Sequence, residues 1–164
     1  MRYSFKTNLG HFSHKNHMAV ELDGEAVGFG CSYTRLKEIH IMVGSLINIF
    51  RFYRFDQACC AFFRVTLFEL LRKKPSFRSE YLCNFGVVEK YRGQKIAHTI
   101  FQLMLDQARQ RGIKSLICDV SSDNIKARGL YGYWGFTATG LRVFPLTSIK
   151  PHYQMTIDIT NYPA

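Results

Sequence analysis

The sequence lacks the features of a membrane-spanning, secreted or disulfide-bonded protein. No hydrophobic run is long enough to cross a bilayer, and residues 1–15 are polar and rich in histidine, unlike a signal peptide. The cysteines form an odd set without C-x-x-C spacing, which supports neither a disulfide framework nor a zinc site. We therefore expect a cytoplasmic protein with buried free thiols. The five cysteines are Cys31, Cys59, Cys60, Cys83 and Cys118.

Several ligand-binding motifs are also absent. There is no G-x-G-x-x-G fingerprint for a dinucleotide and no G-x-x-x-x-G-K-[ST] loop for a nucleotide triphosphate. No RRM, zinc finger or KH loop is recognisable, so nucleic acid is not an expected partner. His11, His14 and His17 have no neighbouring cysteine, which favours a surface loop, and we expect no metal. The net charge of +10 favours anions, whether CoA, anionic lipid or nucleic acid, without choosing among them.

What the sequence does contain is one domain of 164 residues, 47% hydrophobic, with its most informative part between Tyr81 and Phe136. Aromatic and β-branched residues predict a strand from Tyr81 to Val88, and Ser115 to Val120 is a second short apolar run. Apolar residues at helical spacing predict a helix between them that stops at Gly112. Ser122 or Asp123 would cap a further helix that ends at Gly135.

A basic turn, Glu89 to Lys95, joins the first strand to the first helix. A helix N-terminus presents unpaired N–H groups and a partial positive charge, so it suits a phosphate group. Gly93 would let a ligand approach the backbone, and Lys90, Arg92 and Lys95 would add countercharge. An ordinary strand-to-helix turn with solvated cations explains these residues equally well.

Two motifs in this part of the chain resemble those of the GNAT superfamily of acyl-CoA-dependent N-acyltransferases. Arg92 to Ala97 is similar to the family's [QR]-x-x-G-x-[GA] turn, with Lys95 in place of the first glycine. Asn124 to Phe136 matches N-x-x-A-x-x-L-Y-x-x-x-G-F at every specified position. The resemblance covers roughly Met18 to Ile159.

The resemblance implies an α/β fold with a mixed central sheet and helices on both faces. The alternating runs His17 to Leu22 and Ala26 to Tyr33, joined through an Asp-Gly turn, would be the family's second and third strands. Few residues then remain for the strand and two helices that usually precede them, so the N-terminus looks shortened. We expect a single domain, 1–164, with a cofactor-binding core at about 81–136 and two closing strands, Thr137 to Phe144 and His152 to Ile159.

The resemblance also implies acetyl-CoA as the cofactor and a primary amine, on a small molecule or a protein, as the acceptor. Strand-like hydrogen bonds near Phe85 to Val87 would hold the pantetheine arm where the family widens its sheet. Asn124 would bond the amide chain of the cofactor, or merely cap its helix. The candidate cofactor-binding residues are Phe85, Gly86, Val87, Arg92, Gly93, Gln94, Lys95, Ile96, Ala97, Asn124, Ala127 and Tyr131.

Tyr131 is the candidate general acid. A phenol of pKa about 10 can protonate a thiolate of pKa about 8.5, and the resemblance places this residue beside the sulfur of CoA. The alternative is that Tyr131 only packs in the core of the protein and has no catalytic role. Asp119 matches a position where some family members that acetylate protein N-termini carry a glutamate base, and it would work through a water. Glu80 and Glu89 are alternative bases.

An insertion at about 34–80, between the family's third and fourth strands, predicts two basic amphipathic helices. They run from Val43 to Phe55 and from Ala58 to Leu71, with Asp56 as a cap and Pro75 as a stop. We favour packing of both helices on the sheet over contact with anionic lipid. A CoA-binding or membrane-associated module without catalysis is the alternative function, and a homodimer is compatible with the sequence.

Overall fold

The computed structural model describes residues 6, 8–71, 76–143 and 149–163, and for 68–71 it describes the backbone only. Over residues 8–163 as described, six strands and four helices follow one another, with a short 3-10 turn at each of His14–Asn16 and Glu89–Tyr91. Their bounds are β1 Met18–Leu22, β2 Glu25–Thr34, α1 Arg35–Phe52, α2 Phe55–Leu71, β3 Ser79–Val87, α3 Ile96–Gln110, β4 Ser115–Ser121, α4 Ile125–Tyr133, β5 Thr137–Arg142 and β6 His152–Asp158.

The strands form one mixed sheet in the order β1-β2-β3-β4-β6-β5, and β3 and β4 are its parallel pair. The expected hairpin at its edge is confirmed: Asp23 and Gly24 join β1 to β2 with φ of 52° and 77°. Two consecutive positive φ angles define the type I′ turn, whose twist matches that of the flanking strands.

One face of the sheet carries the main core, beneath α3 and α4. The apolar side of α3 contributes five buried residues: Ile100, Phe101, Met104, Leu105 and Ala108. Trp134 stacks on Phe101 with ring centroids 4.4 Å apart, which ties the end of α4 to α3. Gly112 ends α3 with φ of 70°, and Ile113 N–H then bonds the Ala108 carbonyl, the Schellman pattern expected of a C′ glycine.

The other face is covered by α1, so the prediction of helices on both faces is confirmed. Ile41 of α1 packs with Tyr33 and Tyr81 in a second, smaller core. The helix α2 lies against α1, and Ala58 is its one fully buried side chain in the described residues. The prediction that both helices bury their apolar faces on the sheet is therefore wrong for several side chains: Ile47, Phe50, Tyr53 and Phe62 are all exposed.

Helix boundaries differ from expectation in the insertion and at α4. α1 begins at Arg35, eight residues before Val43, because Thr34 caps it by accepting the Lys37 N–H. α2 begins at Phe55, which puts Asp56 inside its first turn and not at the cap. α4 is capped by Asn124, neither by Ser122 nor by Asp123.

Several residues named in the sequence analysis lie outside the described part of the chain or differ from expectation in their burial. Pro75, Phe144 and Pro145 lie outside the described residues, as do the basic residues Arg72, Lys73 and Lys74. Cys59 and Cys60 are exposed, contrary to the expectation of buried thiols, whereas Cys31 and Cys118 are buried. Within the described ranges, no helix combines the length and apolar character needed to cross a bilayer.

Candidate active site

The sheet opens between its two parallel strands. β3 pairs with β4 only over Ser79–Tyr81 and Ser115–Ile117, and beyond these residues β3 follows β2 while β4 follows β6. A bulge in β3 coincides with the parting, since Asn84 has φ of 48° and the register with β2 shifts between Phe29 and Cys31. A bulge bends its strand and increases its twist, which accounts for the divergence. In the described chain, the edge of β3 beyond Tyr81 that faces β4 has no strand partner.

The turn at the mouth of this opening has a backbone suited to a bound anion. Gly93 and Lys95 have φ of 82° and 61°, and a Cβ built at Gly93 would meet no atom within 4 Å. Lys95 precedes α3 and gives it no side-chain cap. The first N–H groups of a helix have no carbonyl partner within the helix, so those of α3 are free to bind a ligand.

The cations of the turn are not equivalent. Lys90 Nζ lies 2.8 Å from Glu25 Oε2, and the Tyr91 hydroxyl donates to the same oxygen. These hydrogen bonds lower the pKa of Glu25 and raise that of Lys90, so Lys90 is engaged in holding the turn to the hairpin. Arg92 lies against Glu89 and donates to the Val87 carbonyl, and its side chain stays 65% exposed.

Tyr131 lies in the core close to the opening. It is 8% exposed, with its ring against Phe85, Trp134 and Phe136. Burial raises the pKa of its phenol well above the ordinary value, and the nearby thiols Cys118 on β4 and Cys83 on β3 raise it further. The phenol therefore stays protonated at any working pH.

Asp119 is held at the start of the opening, two residues past the last β4 residue that pairs with β3. Its Oδ2 accepts a hydrogen bond of 2.8 Å from the Tyr81 hydroxyl and one of 3.3 Å from Arg142 Nη1. The side chains of Asp119 and Arg142 are 7% and 12% exposed, so the pair is largely removed from water. Asp119 Oδ1, by contrast, has no partner in the described residues.

The two alternative carboxylates have different surroundings. Glu80 is fully buried, with Oε1 accepting from Arg111 Nη1 at 2.6 Å and Oε2 from Ser32 Oγ at 2.7 Å. Both oxygens are occupied, so Glu80 joins β2, β3 and the end of α3 and is not available as a base. Glu89 is 90% exposed and faces Arg92.

Asn124 caps α4. Its Oδ1 accepts a hydrogen bond from the Ala127 N–H at 3.1 Å. The side-chain NH₂ of Asn124 is then the group left to bind a ligand. Phe85 and Val87, from the same candidate set, pack against the main core, and Gly86 lies under the Phe29 ring.

Tyr81, Arg142 and Gln154 belong to the site but are not identified by the sequence. Tyr81 and Asp119 are 38 residues apart, and Arg142 and Asp119 are 23 apart. Alternation along a strand indicates a face, but which residues meet across strands depends on register. No group of three or more metal-ligating side chains occurs in the described residues.

Comparisons with known proteins agree with the fold. The chain is 35% identical over 72 residues to human N-acetyltransferase 8B, a match that covers 43% of this chain and 32% of that protein. It therefore spans about a third of the length of this curated relative. The ribosomal-protein-S18-alanine N-acetyltransferase from Escherichia coli is 16% identical, with a TM-score of 0.57, over 97% of this chain and 77% of that one.

An acetyltransferase from Salmonella typhimurium, solved with its cofactor acetyl-CoA, is 14% identical, with a TM-score of 0.54, over 90% of this chain and 66% of that one. The mixed sheet that opens between β3 and β4 places the chain in the same class of α/β fold. A family model described as the Acetyltransferase (GNAT) family matches residues 2–136, and the chain belongs to this family.

Proposed function

We propose that the chain is an N-acetyltransferase that moves an acetyl group from acetyl-CoA to a primary amine. The observation that carries the proposal is the opening between β3 and β4, because it brings three requirements of acyl transfer to one place. An uncapped helix N-terminus lies at its mouth, an unpaired strand edge along its side, and a protonated phenol at its core.

The residues present fit the acyl donor. Arg92, Lys95 and the amides from Gly93 to Ala97 would hold the pyrophosphate, since the turn offers N–H donors, open space and countercharge. The free edge of β3 at Phe85 to Val87 would hold the pantetheine amides as an added strand does. The thioester of the donor supplies the acyl group. Lys95 adopts a positive φ, a conformation that glycine takes without steric cost, which accounts for the glycine that the family usually has at this position.

In the transfer, the amine nitrogen attacks the carbonyl carbon, so that a C–N bond forms and the C–S bond breaks. A backbone N–H of β3 would stabilise the oxyanion. Tyr131 would give its proton to the departing thiolate. Burial raises the pKa of the phenol, and the same desolvated site would also make the thiolate a stronger base, so that the proton can pass to the sulfur. Asp119 would receive a proton from the amine through a water, at its unpartnered Oδ1.

The cofactor part of the proposal is tested by thermal unfolding with acetyl-CoA, with acetate and with NAD. Acetyl-CoA should raise the Tm and the other two should not. Arg92→Glu should reduce this shift, whereas Arg54→Glu, the same charge change at an exposed residue between α1 and α2, should preserve it. An Arg92→Glu protein that binds acetyl-CoA as tightly as the parent would show that the turn is only structural.

The catalytic part is tested by the release of CoA thiol across a panel of primary amines. A non-catalytic acyl-CoA-binding module would give the thermal shift without thiol release for any amine.

A membrane-surface association is a second candidate function, favoured by the exposed apolar side chains of α1. Five of them follow helical spacing along one side: Leu36, Ile39, Val43, Ile47 and Phe50. Contact with anionic lipid would be compatible with catalysis as well as with a purely binding role.

A further inference from the structure

Three adjacent side chains on β4, β5 and β6 each keep a buried polar atom without a hydrogen-bond partner in the described residues. These atoms are Asp119 Oδ1, Arg142 Nη2 and Gln154 Nε2. Asp119 and Gln154 are directly opposite each other in the β4–β6 ladder, and Arg142 reaches Asp119 from β5. Directly opposed residues share a face of the sheet, so the three groups lie together.

Unpaired buried polar groups are rare because each one loses its hydrogen bonds to water without replacement. Three such groups on one face of neighbouring strands form a cluster that a ligand with both a donor and acceptors would satisfy. Nη1 of Arg142 donates to Asp119 Oδ2, whereas Nη2 has no acceptor in the described residues and could donate to a ligand.

The chemistry of the three atoms defines a ligand. Asp119 Oδ1 can only accept, which suits an amine, while Arg142 Nη2 and Gln154 Nε2 can only donate, which suits an anionic or carbonyl oxygen. Two donors from separate side chains match the two oxygens of a carboxylate better than the single oxygen of an amide. The amine and the carboxylate must also lie within a few ångströms of each other.

We propose that Asp119, Arg142 and Gln154 form the acceptor subsite and that the acceptor is a free α-amino acid. This inference rests on the proposed function and specifies its substrate class. Asp119 Oδ1 faces the amine through the bridging water proposed above, and Arg142 and Gln154 hold the carboxylate. The charges balance, because the Asp119–Arg142 pair and the zwitterionic ligand are each neutral.

The test compares acceptors that differ only in the carboxylate: phenylalanine, phenylalaninamide, phenethylamine and the dipeptide Phe-Ala. The subsite predicts a kcat/KM for phenylalanine at least about tenfold above that for phenethylamine, the factor expected for a lost hydrogen-bonded contact. Equal values for the two would overturn the proposal. A higher value for Phe-Ala than for phenylalanine would also overturn it, since the acceptor would then be a peptide N-terminus.

Two variants assign the preference to residues. Arg142→Lys keeps a cation for Asp119 but loses the planar second donor, and Gln154→Leu keeps the size of the side chain without its amide. Each should lower the ratio of kcat/KM for phenylalanine to kcat/KM for phenethylamine. Thr139→Ala, on the same strand as Arg142, is the control and should keep the parent preference. If both site variants kept the parent preference for phenylalanine over phenethylamine, the assignment of that preference to Arg142 and Gln154 would be wrong.

A binding measurement separates this subsite from the proposed catalysis. Isothermal titration of phenylalanine into the protein saturated with CoA should give a binding isotherm that phenethylamine does not give, and Arg142→Lys should weaken it. If no amine in the panel releases thiol but phenylalanine binds in this way, the proposed function fails while the subsite stands. If thiol is released from other amines and phenylalanine does not bind, the subsite fails alone.

Discussion

Tyr131 is kept protonated by its surroundings, because aromatic rings enclose it and two thiols lie nearby. A general acid must hold its proton until the leaving group needs it. A phenol whose pKa lies above its ordinary value does so through the neutral and alkaline range.

Tyr131→Phe should therefore lower kcat by about 10²-fold, the usual range for a lost acid group, and leave KM and the acetyl-CoA thermal shift nearly unchanged. The ring and its packing against Phe85 and Trp134 remain, so the Tm should change little. In the parent protein, the pKa of Tyr131 is raised, so ionisation of this phenol should cause no loss of activity below about pH 10.

Asp119→Asn provides the comparison, because its loss should be partly recovered at high pH, where the amine is already neutral. The Tyr131 variant should not recover there. Acetylation of an accepted amine by Tyr131→Phe at the parent rate would contradict the role of this residue as the acid.

At the residue scale, the sequence predicts the members of the site that belong to a motif and misses those that meet by register. Tyr131 and Asn124 stand at fixed positions of one motif. Arg142 and Gln154 lie on strands whose partners are distant in the chain, so their approach to Asp119 depends on how three strands align. The sequence also does not distinguish Asp119 from Glu80 and Glu89 as the base. The structure does, because both oxygens of Glu80 accept hydrogen bonds and Glu89 is exposed to solvent.

At the scale of the elements, α1 is fixed to the loop before β1 by close backbone packing. Asn48 Nδ2 donates to the Leu9 carbonyl, and the His11 N–H donates to Ser45 Oγ. Gly44 lies at the contact, where a Cβ would come within 2.6 Å of Gly10 N. The loop can lie this close to the helix only because position 44 has no side chain.

Gly44→Ala should consequently lower the free energy of unfolding by about 1–3 kcal/mol, because the clash involves backbone and outweighs the better helix propensity of alanine. The shift in the midpoint of urea denaturation measures it. Gly132→Ala, in α4, meets nothing within 4 Å and should stabilise by about 0.5–1 kcal/mol. A stabilised Gly44→Ala protein would show that the loop does not depend on this contact.

The existence of every helix and strand in the described chain follows from periodicity and turn residues, whereas the burial of α1 and α2 does not. Hydrophobic spacing shows that a helix has an apolar side, but not what covers that side. Here α1 buries the side that carries Ile41, Gly44 and Asn48, so its Val43 and Ile47 side faces outward. Periodicity also does not show where α1 begins, because Thr34 is both the last residue of β2 and the N-cap of α1.

At the scale of the whole molecule, α1 and α2 both carry exposed apolar side chains, and these meet where the Phe50 ring lies 6.2 Å from the Phe62 ring. Phe55 and Phe63 are 79% and 68% exposed, in addition to the five residues along α1. Arg51, Arg54 and Arg64 lie among them. Contiguous apolar surfaces of this kind mark sites of interaction, and cations beside them favour an anionic partner.

We expect the protein to float with vesicles that contain phosphatidylserine and to stay behind with vesicles of phosphatidylcholine alone. Salt should reduce the binding, because the cations act through screened charge. Val43→Glu should reduce it further, while Ile125→Glu, the same kind of change at a still more exposed residue of α4, should not. Absence of flotation with either vesicle would show that this surface does not bind lipid.

The short ladder between β3 and β4 divides the sheet into two halves, β1-β2-β3 and β4-β6-β5, that are joined over three residue pairs. Each half has its own antiparallel ladders, whereas few backbone hydrogen bonds join the halves. The core beneath α3 contains Leu82 of β3 as well as Leu116 of β4, so side-chain packing holds the two halves together. We therefore expect selectivity for the length of the acyl chain to depend on the side chains that line the opening and not on the hydrogen bonds of the sheet.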